Sequence, residues 1–270
     1  MSSAVFLEIT KIFVGCWAIL SGMEWLANRR LFLRTGLLAW HVLRLRSGIT
    51  MRLGPALSSA FGAAPSFAAV QILRIACGVG VLFSSNYLLL SMLLTVLFCC
   101  CAWTNYRACF GGDGSDQMGL VVTSGTLIVS LGMVGNDDYL AYAGIILIGG
   151  QAVLAYFFAG ASKIISPVWR GGEAVKGVMN TANFGNPWAA RLLMRHPKIS
   201  LVVGWLVIIT EMMFPLVLVM PDSLLAMSLM GFFLFHLSNA YFMGLNSFVL
   251  SFVATYPAIV KINYALREIF

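Results

Sequence analysis

Residues 139–162 read YLAYAGIILIGGQAVLAYFFAGAS, a run of 24 residues without a charged side chain. About 20 consecutive apolar residues are enough for a helix to cross the hydrocarbon core of a bilayer. Runs of this kind recur along the chain, which is 60% hydrophobic and only 10% charged. Because soluble globular proteins carry about 25% charged residues, this chain cannot cover a water-facing surface. The sequence therefore predicts an all-α fold, a polytopic membrane helical bundle.

Seven or eight transmembrane helices are expected, with short interfacial helices between them. The chain contains no internal repeat and no low-complexity linker, so residues 1–270 are predicted to form a single integral membrane domain. The first apolar run lacks a basic leader and a small-residue cleavage site, and we interpret it as a retained helix. The last two runs are also compatible with a bent or partly re-entrant hairpin. The predicted spans are Val5–Ala27, Phe67–Asn86, Tyr87–Thr104, Gln117–Val134, Tyr139–Ser162, Ile199–Met220, Ser223–Met243 and Ser247–Val260.

The net charge of +7 is concentrated in two long connections. Asn28–Ser66 contains six arginines and no acidic residue, and Lys163–Lys198 contains six basic residues against Glu173 alone. The positive-inside bias places both connections in the cytoplasm and the amino terminus outside. Anionic lipid headgroups, and not nucleic acid, are the expected partners of this charge. Eight spans would put the basic residues Lys261 and Arg267 outside, against the bias, which leaves a seven-span alternative.

The long connections carry signals for short helices. Ser166 and Asn186 are each followed by proline, the pattern of a helix cap and a first helical residue. The pattern predicts helices over Pro167–Val178 and Pro187–Arg195, and the mixture of apolar and basic residues in Leu31–Leu45 predicts an interfacial helix. A folded connection of this kind either covers a cavity or only packs against the ends of the neighbouring helices.

Lys163 follows the charge-free run directly. Tyr156, Ala159 and Gly160 precede it on the same helix face, since they lie seven, four and three residues earlier. One interpretation is an anchoring lysine that extends to the membrane surface. The other is a desolvated amine that acts as a base near neutrality.

Two further spans contain ionisable side chains. Glu211 lies four residues before Pro215 and is either a structural partner of Arg74 or His236, or a proton carrier, or the group that orients a base. A polar stripe contains His236, Asn239 and Asn246, and a stripe of this kind in lipid must face protein or a water-filled cavity. Hydrogen bonding between helices alone would also explain the stripe.

The loop at residues 111–117, GGDGSDQ, precedes the fourth predicted span. Ser115 or Asp116 is predicted to cap that helix. The loop lacks the alternating carboxylates and closing glutamate of a calcium loop, and the lysine of a phosphate loop. No metal site is predicted from the sequence.

Several of these motifs together resemble one membrane family. Residues 159–163, AGASK, followed by an aliphatic pair, Trp169 and a glycine, resemble the AGxxK–aliphatic–W–G segment of the HTTM family, which includes the vitamin K-dependent γ-glutamyl carboxylases. The Gly-Gly-Asp loop, Glu211 before a proline, and Phe235-His236 with Asn239 are similar to that family in their order. The similar region is residues 105–256, and it looks most like the bacterial sporulation-delaying protein B branch.

The resemblance implies a multi-pass protein of the bacterial plasma (inner) membrane that supports maturation of an exported peptide toxin. A peptide substrate and further proteins of a toxin-production set are the implied partners. In the carboxylases the lysine of this segment deprotonates vitamin K hydroquinone, so the resemblance implies that Lys163 is a base and that a quinol is the cofactor. The implied catalytic residues are Lys163, Glu211, His236 and Asp116, and the implied substrate-binding residues are Trp169, Arg170, Asn239 and Tyr156.

Three other functions are compared with this expectation. The expected reaction is a lysine-based acid–base or quinol-linked step. Glutamyl carboxylation is only a further alternative, because the loop before the fourth span has Asp113 and Asp116 but no histidine to support the lysine. A non-enzymatic scaffold or immunity-like factor that binds peptide or lipid would use the same polar residues for helix packing. A small-solute transporter is less favoured, because the sequence shows no inverted repeat and no paired broken helices.

Overall fold

The computed structural model describes residues 1–43, 62–109 and 112–268. All regular structure in these residues is helical. The helices are α1 (Ser3–Ala27), α2 (Trp40–Leu43), α3 (Ala64–Phe83), α4 (Tyr87–Ala108), α5 (Gly114–Gly135), α6 (Asp138–Ile165), α7 (Pro167–Arg170), α8 (Glu173–Met179), α9 (Pro187–Arg195), α10 (Pro197–Met213), α11 (Asp222–Met243), α12 (Asn246–Val253) and α13 (Tyr256–Arg267). Two 3-10 segments, Arg29–Phe32 and Phe214–Leu218, follow α1 and α10.

The described residues contain eight helical segments long and apolar enough to cross a membrane. Five are the single helices α1, α3, α4, α5 and α6, and a sixth is α11. The other two are composite, since α10 continues into its 3-10 segment and α12 is followed by α13. The prediction of an all-α polytopic bundle is therefore confirmed, with a span count of eight in the part of the chain that the structure describes.

The chain divides into two compact units, Met1–Gly144 and Ile145–Phe270. In the first unit, α3 packs along α1 and α4, and α5 packs along α4 and α1. Glycines permit the close approach of α1 and α3, because a Cβ atom on Gly78 would lie 3.0 Å from the backbone oxygen of Gly15. Small residues at helix contacts are typical of membrane bundles. The prediction of one integral membrane domain over residues 1–270 stays a prediction.

The second unit is held together partly by an asparagine in its last helix. Pro215 interrupts the backbone hydrogen bonds of the sixth span, and residues 214–218 form a 3-10 segment. Asn263 is fully buried, and its Nδ2 donates to the carbonyl oxygens of Val217 at 2.8 Å and Met220 at 2.9 Å. The amide therefore satisfies two backbone carbonyl groups at and after this interruption.

The predicted helix Pro167–Val178 is wrong in one respect, since it is broken into α7 and α8 at Gly171 and Gly172. Gly172 has a φ of +79°, which favours glycine, and a Cβ atom there would lie 2.7 Å from the Cα atom of Leu201. The chain must turn at this point to pass the start of α10. The predicted helix Pro187–Arg195 is confirmed with the same bounds, and the Asn186 side chain caps it as expected.

The predicted interfacial helix Leu31–Leu45 is also wrong for its described part. A 3-10 turn ends at Phe32, and only Trp40–Leu43 is α-helical. Between them the chain folds back so that the backbone N–H of Leu38 donates to the carbonyl oxygen of Leu31 at 2.9 Å. Residues 44 and 45, and the arginines at 44, 46 and 52, lie outside the described residues.

A basic residue near the carboxyl terminus has an acidic partner that the sequence pattern did not indicate. Arg267 forms an ion pair with Asp222, the first residue of α11. With eight spans, Lys261 and Arg267 still depart from the positive-inside bias, because that bias counts basic residues and not net charge.

The contact between α5 and α6 at Gly144 gives a test of the helix packing in the first unit. A Cβ atom at this position would lie 2.5 Å from the carbonyl oxygen of Gly125 and 2.9 Å from the backbone nitrogen of Val129. Because backbone atoms cannot move aside as a side chain can, we expect Gly144→Ala to lower the free energy of unfolding by about 1–3 kcal/mol. The measurement is the thermal unfolding midpoint of the detergent-solubilised protein.

Gly150→Ala is the matched control on the same helix. A Cβ atom at Gly150 meets nothing within 4 Å, so this variant should be as stable as the wild type or slightly more stable. Equal midpoints for the two variants would contradict the packing described for Gly144.

Candidate functional site

A lysine and a glutamate from two spanning helices form a close pair in the second unit. The Nζ atom of Lys163, near the end of α6, lies 2.6 Å from Oε2 of Glu211 on α10. The Lys163 side chain is 18% exposed and that of Glu211 is 7% exposed. The pair is thus largely removed from solvent, where charge-assisted hydrogen bonds are strong.

Gly160 explains how the two helices bring these side chains together. It lies one turn before Lys163, and a Cβ atom there would be 2.7 Å from the backbone nitrogen of Met212. The same Cβ would lie 3.1 Å from the carbonyl carbon of Glu211. The glycine therefore permits backbone contact beside Glu211, which puts the carboxylate within reach of the lysine.

The amine of Lys163 has two further contacts. Its Nζ atom lies 3.4 Å from the carbonyl oxygen of Ala159 and 5.2 Å from the ring centroid of Trp169. A cation within about 6 Å of an indole face is attracted by the ring. The amine is therefore held by a carboxylate, a carbonyl and an aromatic ring, whereas an anchoring lysine would extend to the membrane surface.

Trp169 is held by the connection that follows α6. The Ser200 hydroxyl donates a hydrogen bond to the carbonyl oxygen of Gly172 and ties the connection to α10. The backbone oxygen of Trp169 lies 3.4 Å from the position of a Cβ atom on Gly204 of α10. This packing places the tryptophan beside the amine, whereas the neighbouring Arg170 is exposed.

A second polar pair in the same unit joins Tyr156 and His236. The phenol oxygen of Tyr156 on α6 lies 2.6 Å from Nε2 of His236 on α11, and both residues are buried. The Tyr156 ring contacts the rings of Phe214 and Phe232, with centroid distances of 4.1 and 4.7 Å. His236 stacks on Phe252 at 4.4 Å. The pair therefore lies in an aromatic cage.

Two polar atoms in this region have no hydrogen-bond partner among the described residues. They are Nδ1 of His236 and the hydroxyl oxygen of Tyr256, and both are buried. Buried polar groups in proteins are nearly always paired with protein or ordered water. Each atom can therefore bind a water molecule or a polar group of a substrate.

The two pairs occupy successive layers of the second unit. Tyr156 precedes Lys163 by seven residues, which corresponds to about 10 Å along a helix. On the facing helix, Phe214 follows Glu211 by three residues and contacts the Tyr156 ring. On α11, Asn239 lies one turn after His236 and is partly buried, whereas Asn246 of the predicted stripe lies beyond the end of α11, at the first residue of α12.

Asp116 lies in the first unit, where it has several partners. Its Oδ1 atom accepts hydrogen bonds from Ser21 at 3.1 Å and from the Trp25 indole at 3.3 Å. The same oxygen lies 3.9 Å from Nη2 of Arg74, a buried arginine whose guanidinium lies over the Trp17 ring. Asp116 is thus the counter-charge of an arginine inside a spanning helix.

The predicted capping role of Ser115 or Asp116 is wrong. Asp113 caps α5 instead, because its Oδ1 atom accepts from the backbone N–H groups of Ser115 at 2.8 Å and Asp116 at 3.3 Å. The helix begins one residue after it, at Gly114. Gly111 of the same predicted loop lies outside the described residues.

Sequence reasoning missed Arg107, which is fully buried in the last turn of α4. Its guanidinium donates to the carbonyl oxygens of Leu38 and Gly62, both at 2.9 Å, and lies 4.9 Å from the Phe32 ring centroid. A basic residue at a helix end usually reaches solvent, so the sequence contains no signal for this role. The aromatic cage did have a signal, because Phe248 and Phe252 are four residues apart and both stack on His236.

The site has no obvious metal ligands. Among the described residues, no group of three or more His, Cys, Asp and Glu side chains lies close enough together to hold a metal ion. Comparisons with protein-family models, with curated proteins and with solved structures give no match for this chain. The chemistry of the site is therefore interpreted from its own contacts.

Removing one member of the Lys163–Glu211 pair should cost more than removing both. Glu211→Leu leaves a lysine with no counter-charge, and the loss of one partner of a buried pair is strongly destabilising. Because Lys163 is partly exposed, we expect a loss of about 2 kcal/mol for Glu211→Leu and a smaller loss for Lys163→Met with Glu211→Leu. Thermal unfolding of the single and double variants measures the difference. Additive losses would contradict a coupled pair.

Tyr156→Phe tests the second pair. The substitution keeps the ring in its aromatic cage but leaves Nε2 of His236 without its partner, so we expect a loss of about 1–3 kcal/mol in the free energy of unfolding. Tyr139→Phe is the matched control, because Tyr139 is 92% exposed. If both variants unfold at the wild-type temperature, the Tyr156–His236 hydrogen bond contributes nothing to stability.

Proposed function

We propose that this chain is an HTTM-type membrane protein that supports maturation of an exported peptide, with Lys163 as its base. The observation that carries the proposal is the 2.6 Å contact between Lys163 Nζ and Glu211 Oε2, largely buried between two spanning helices. An amine fixed in this way has a defined direction and limited access to water. Both properties are required of a general base that acts on a bound substrate.

Proton transfer from Lys163 to Glu211 allows the amine to act as a base. In a medium of low dielectric constant, separated charges are expensive, so an ammonium and a carboxylate can revert to an amine and a carboxylic acid. The neutral amine of Lys163 then has a free electron pair that accepts a proton from a weakly acidic hydroxyl or carbon. Glu211 holds the displaced proton on one carboxyl oxygen, while its other oxygen accepts a hydrogen bond from the amine and keeps it oriented, so the electron pair stays free.

The aromatic cage provides the neighbouring substrate contacts in this proposal. Its rings suit an apolar or aromatic group, and the unpartnered atoms of His236 and Tyr256 supply one hydrogen bond each. A quinol, the cofactor that the resemblance implies, has this combination of a flat ring and hydroxyl groups. Trp169, Tyr156 and Asn239 would then contact the substrate, and Asp116 would support the first unit as the partner of Arg74.

The proposed setting is the bacterial plasma membrane, with further proteins of a toxin-production set as partners. The positive-inside bias puts the Lys163 end of α6 on the cytoplasmic side. The peptide would therefore be modified before it leaves the cell or while it crosses the membrane. Glutamyl carboxylation remains the further alternative for the reaction.

A non-enzymatic scaffold is the second candidate, and one specific observation favours it. Gly160 contacts the backbone of α10 directly beside Glu211, so the ion pair can also serve to fasten two helices that already touch. A scaffold of this kind would bind peptide or lipid and need no base. The two candidates differ in which substitutions at Lys163 they tolerate.

Two variants separate the candidates. Lys163→Arg keeps the positive charge, but arginine is always protonated in proteins and cannot act as a base. Lys163→Glu with Glu211→Lys keeps the ion pair and moves the amine to the other helix. We expect both variants to insert normally, and cells that carry them to stop producing the modified peptide. Mass spectrometry of the exported peptides identifies it as the species that differs between producing cells with and without the protein.

The control is the reciprocal exchange of Asp222 and Arg267, an exposed ion pair in the same unit. This variant should release the same peptide masses as the wild type. If Lys163→Arg, or the exchange at Lys163 and Glu211, also gives the wild-type masses, the base is excluded and the scaffold is favoured.

A further inference from the structure

The short helix α9 lies at the ends of two spanning helices. It ends at Arg195, and the spanning helix α10 begins two residues later, at Pro197. Near its start, the Trp188 ring stacks on Phe242 with a centroid distance of 6.3 Å and an angle of 11°. Phe242 is the penultimate residue of α11, another spanning helix. The level at which spanning helices begin and end is the membrane–water interface, where tryptophan is enriched.

The two faces of α9 differ in character. Ala189, Ala190 and Leu193 are buried against the protein. Trp188, Arg191 and Arg195 follow one another at intervals of three and four residues, form one stripe, and are all exposed. A helix that combines an exposed tryptophan with basic residues at this level is typical of a segment lying in the interface.

The basic residues of the stripe have no acidic partners in the described ranges. No carboxylate lies within 4.0 Å of Arg191, Arg195 or the exposed Lys198 in the part of the chain that the structure describes. Two other cations of the second unit differ in this respect, since Lys176 pairs with Glu173 and Arg267 pairs with Asp222. Three positive charges at the interface therefore lack counter-charges among the described residues.

We propose that the Trp188–Arg191–Arg195 stripe, together with Lys198, binds the phosphate headgroup of an anionic phospholipid. The guanidinium groups match the oxygens of a phosphate in bidentate geometry, and Lys198 adds a third positive charge. The indole of Trp188 lies beside the glycerol and upper acyl region of the same lipid. This site does not depend on the chemistry proposed for Lys163.

Native mass spectrometry of the full-length detergent-solubilised protein tests the site. Wild-type protein should retain phosphatidylglycerol in preference to phosphatidylcholine, two lipids that differ in headgroup charge. Because each basic residue near the surface strengthens binding to anionic lipid several-fold, Arg191→Gln with Arg195→Gln should weaken the binding of phosphatidylglycerol roughly 10- to 30-fold. Binding of phosphatidylcholine should not change.

The matched control is Lys176→Gln with Arg267→Gln, which removes the same net charge from residues that already have acidic partners. It should keep the wild-type preference for phosphatidylglycerol. An equal loss in the control variant would overturn the proposal, because a general effect of net charge would then explain the preference. Equal binding of both lipids to the wild type would overturn it as well.

A fluorescence measurement locates the lipid and remains informative if the arginine variant fails to fold. Phosphatidylglycerol with brominated acyl chains should quench the wild type more than Trp188→Phe, because the removed indole is the one nearest the lipid. Equal quenching of both proteins contradicts a site beside α9. Displacement of the lipid by millimolar inorganic phosphate, or by an acidic peptide, would assign the stripe to that ligand and overturn the proposal.

Discussion

The absence of water from the hydrocarbon core is the constraint on which the described structure depends. A polar group that enters a span must find its partner within the protein, because an unsatisfied group costs several kcal/mol there. Lys11 accordingly contacts the carbonyl oxygen of Ser84 at the end of another helix. The Lys163–Glu211 pair follows the same rule, and Arg74 has Asp116 as its counter-charge at 3.9 Å. These polar contacts join helices that apolar packing alone would leave free to slide.

The same constraint explains why the fold was predictable and its connections were not. Hydropathy identifies spans because lipid excludes polar residues from long stretches, and the structure has helices where the apolar runs lie. Connections depend instead on contacts between distant residues. The break at Gly172 follows from its closeness to Leu201, and the turn after Phe32 follows from a hydrogen bond back to Leu31. Neither contact can be inferred from the local pattern of residues.

The candidate site, too, was predictable only in part. The spacing of Tyr156, Gly160 and Lys163 gave one face of one helix, because that geometry is set by the helix itself. The choice of partners required knowledge of which helices are neighbours. The sequence predicted Arg74 or His236 as the structural partner of Glu211, and this was wrong: the carboxylate pairs with Lys163, where Gly160 admits the backbone of α10. The role of Arg107 was invisible for the same reason, since its partners are carbonyl groups far away in the chain.

The Asn263 contact has a consequence for the order in which the protein is made. Its amide satisfies the carbonyl groups of Val217 and Met220, which precede it by 46 and 43 residues. Those carbonyl groups emerge from the ribosome long before the asparagine does. The segment beyond Glu211 therefore stays incomplete during synthesis until Asn263 has been made, so the second unit can mature only after α13 has formed.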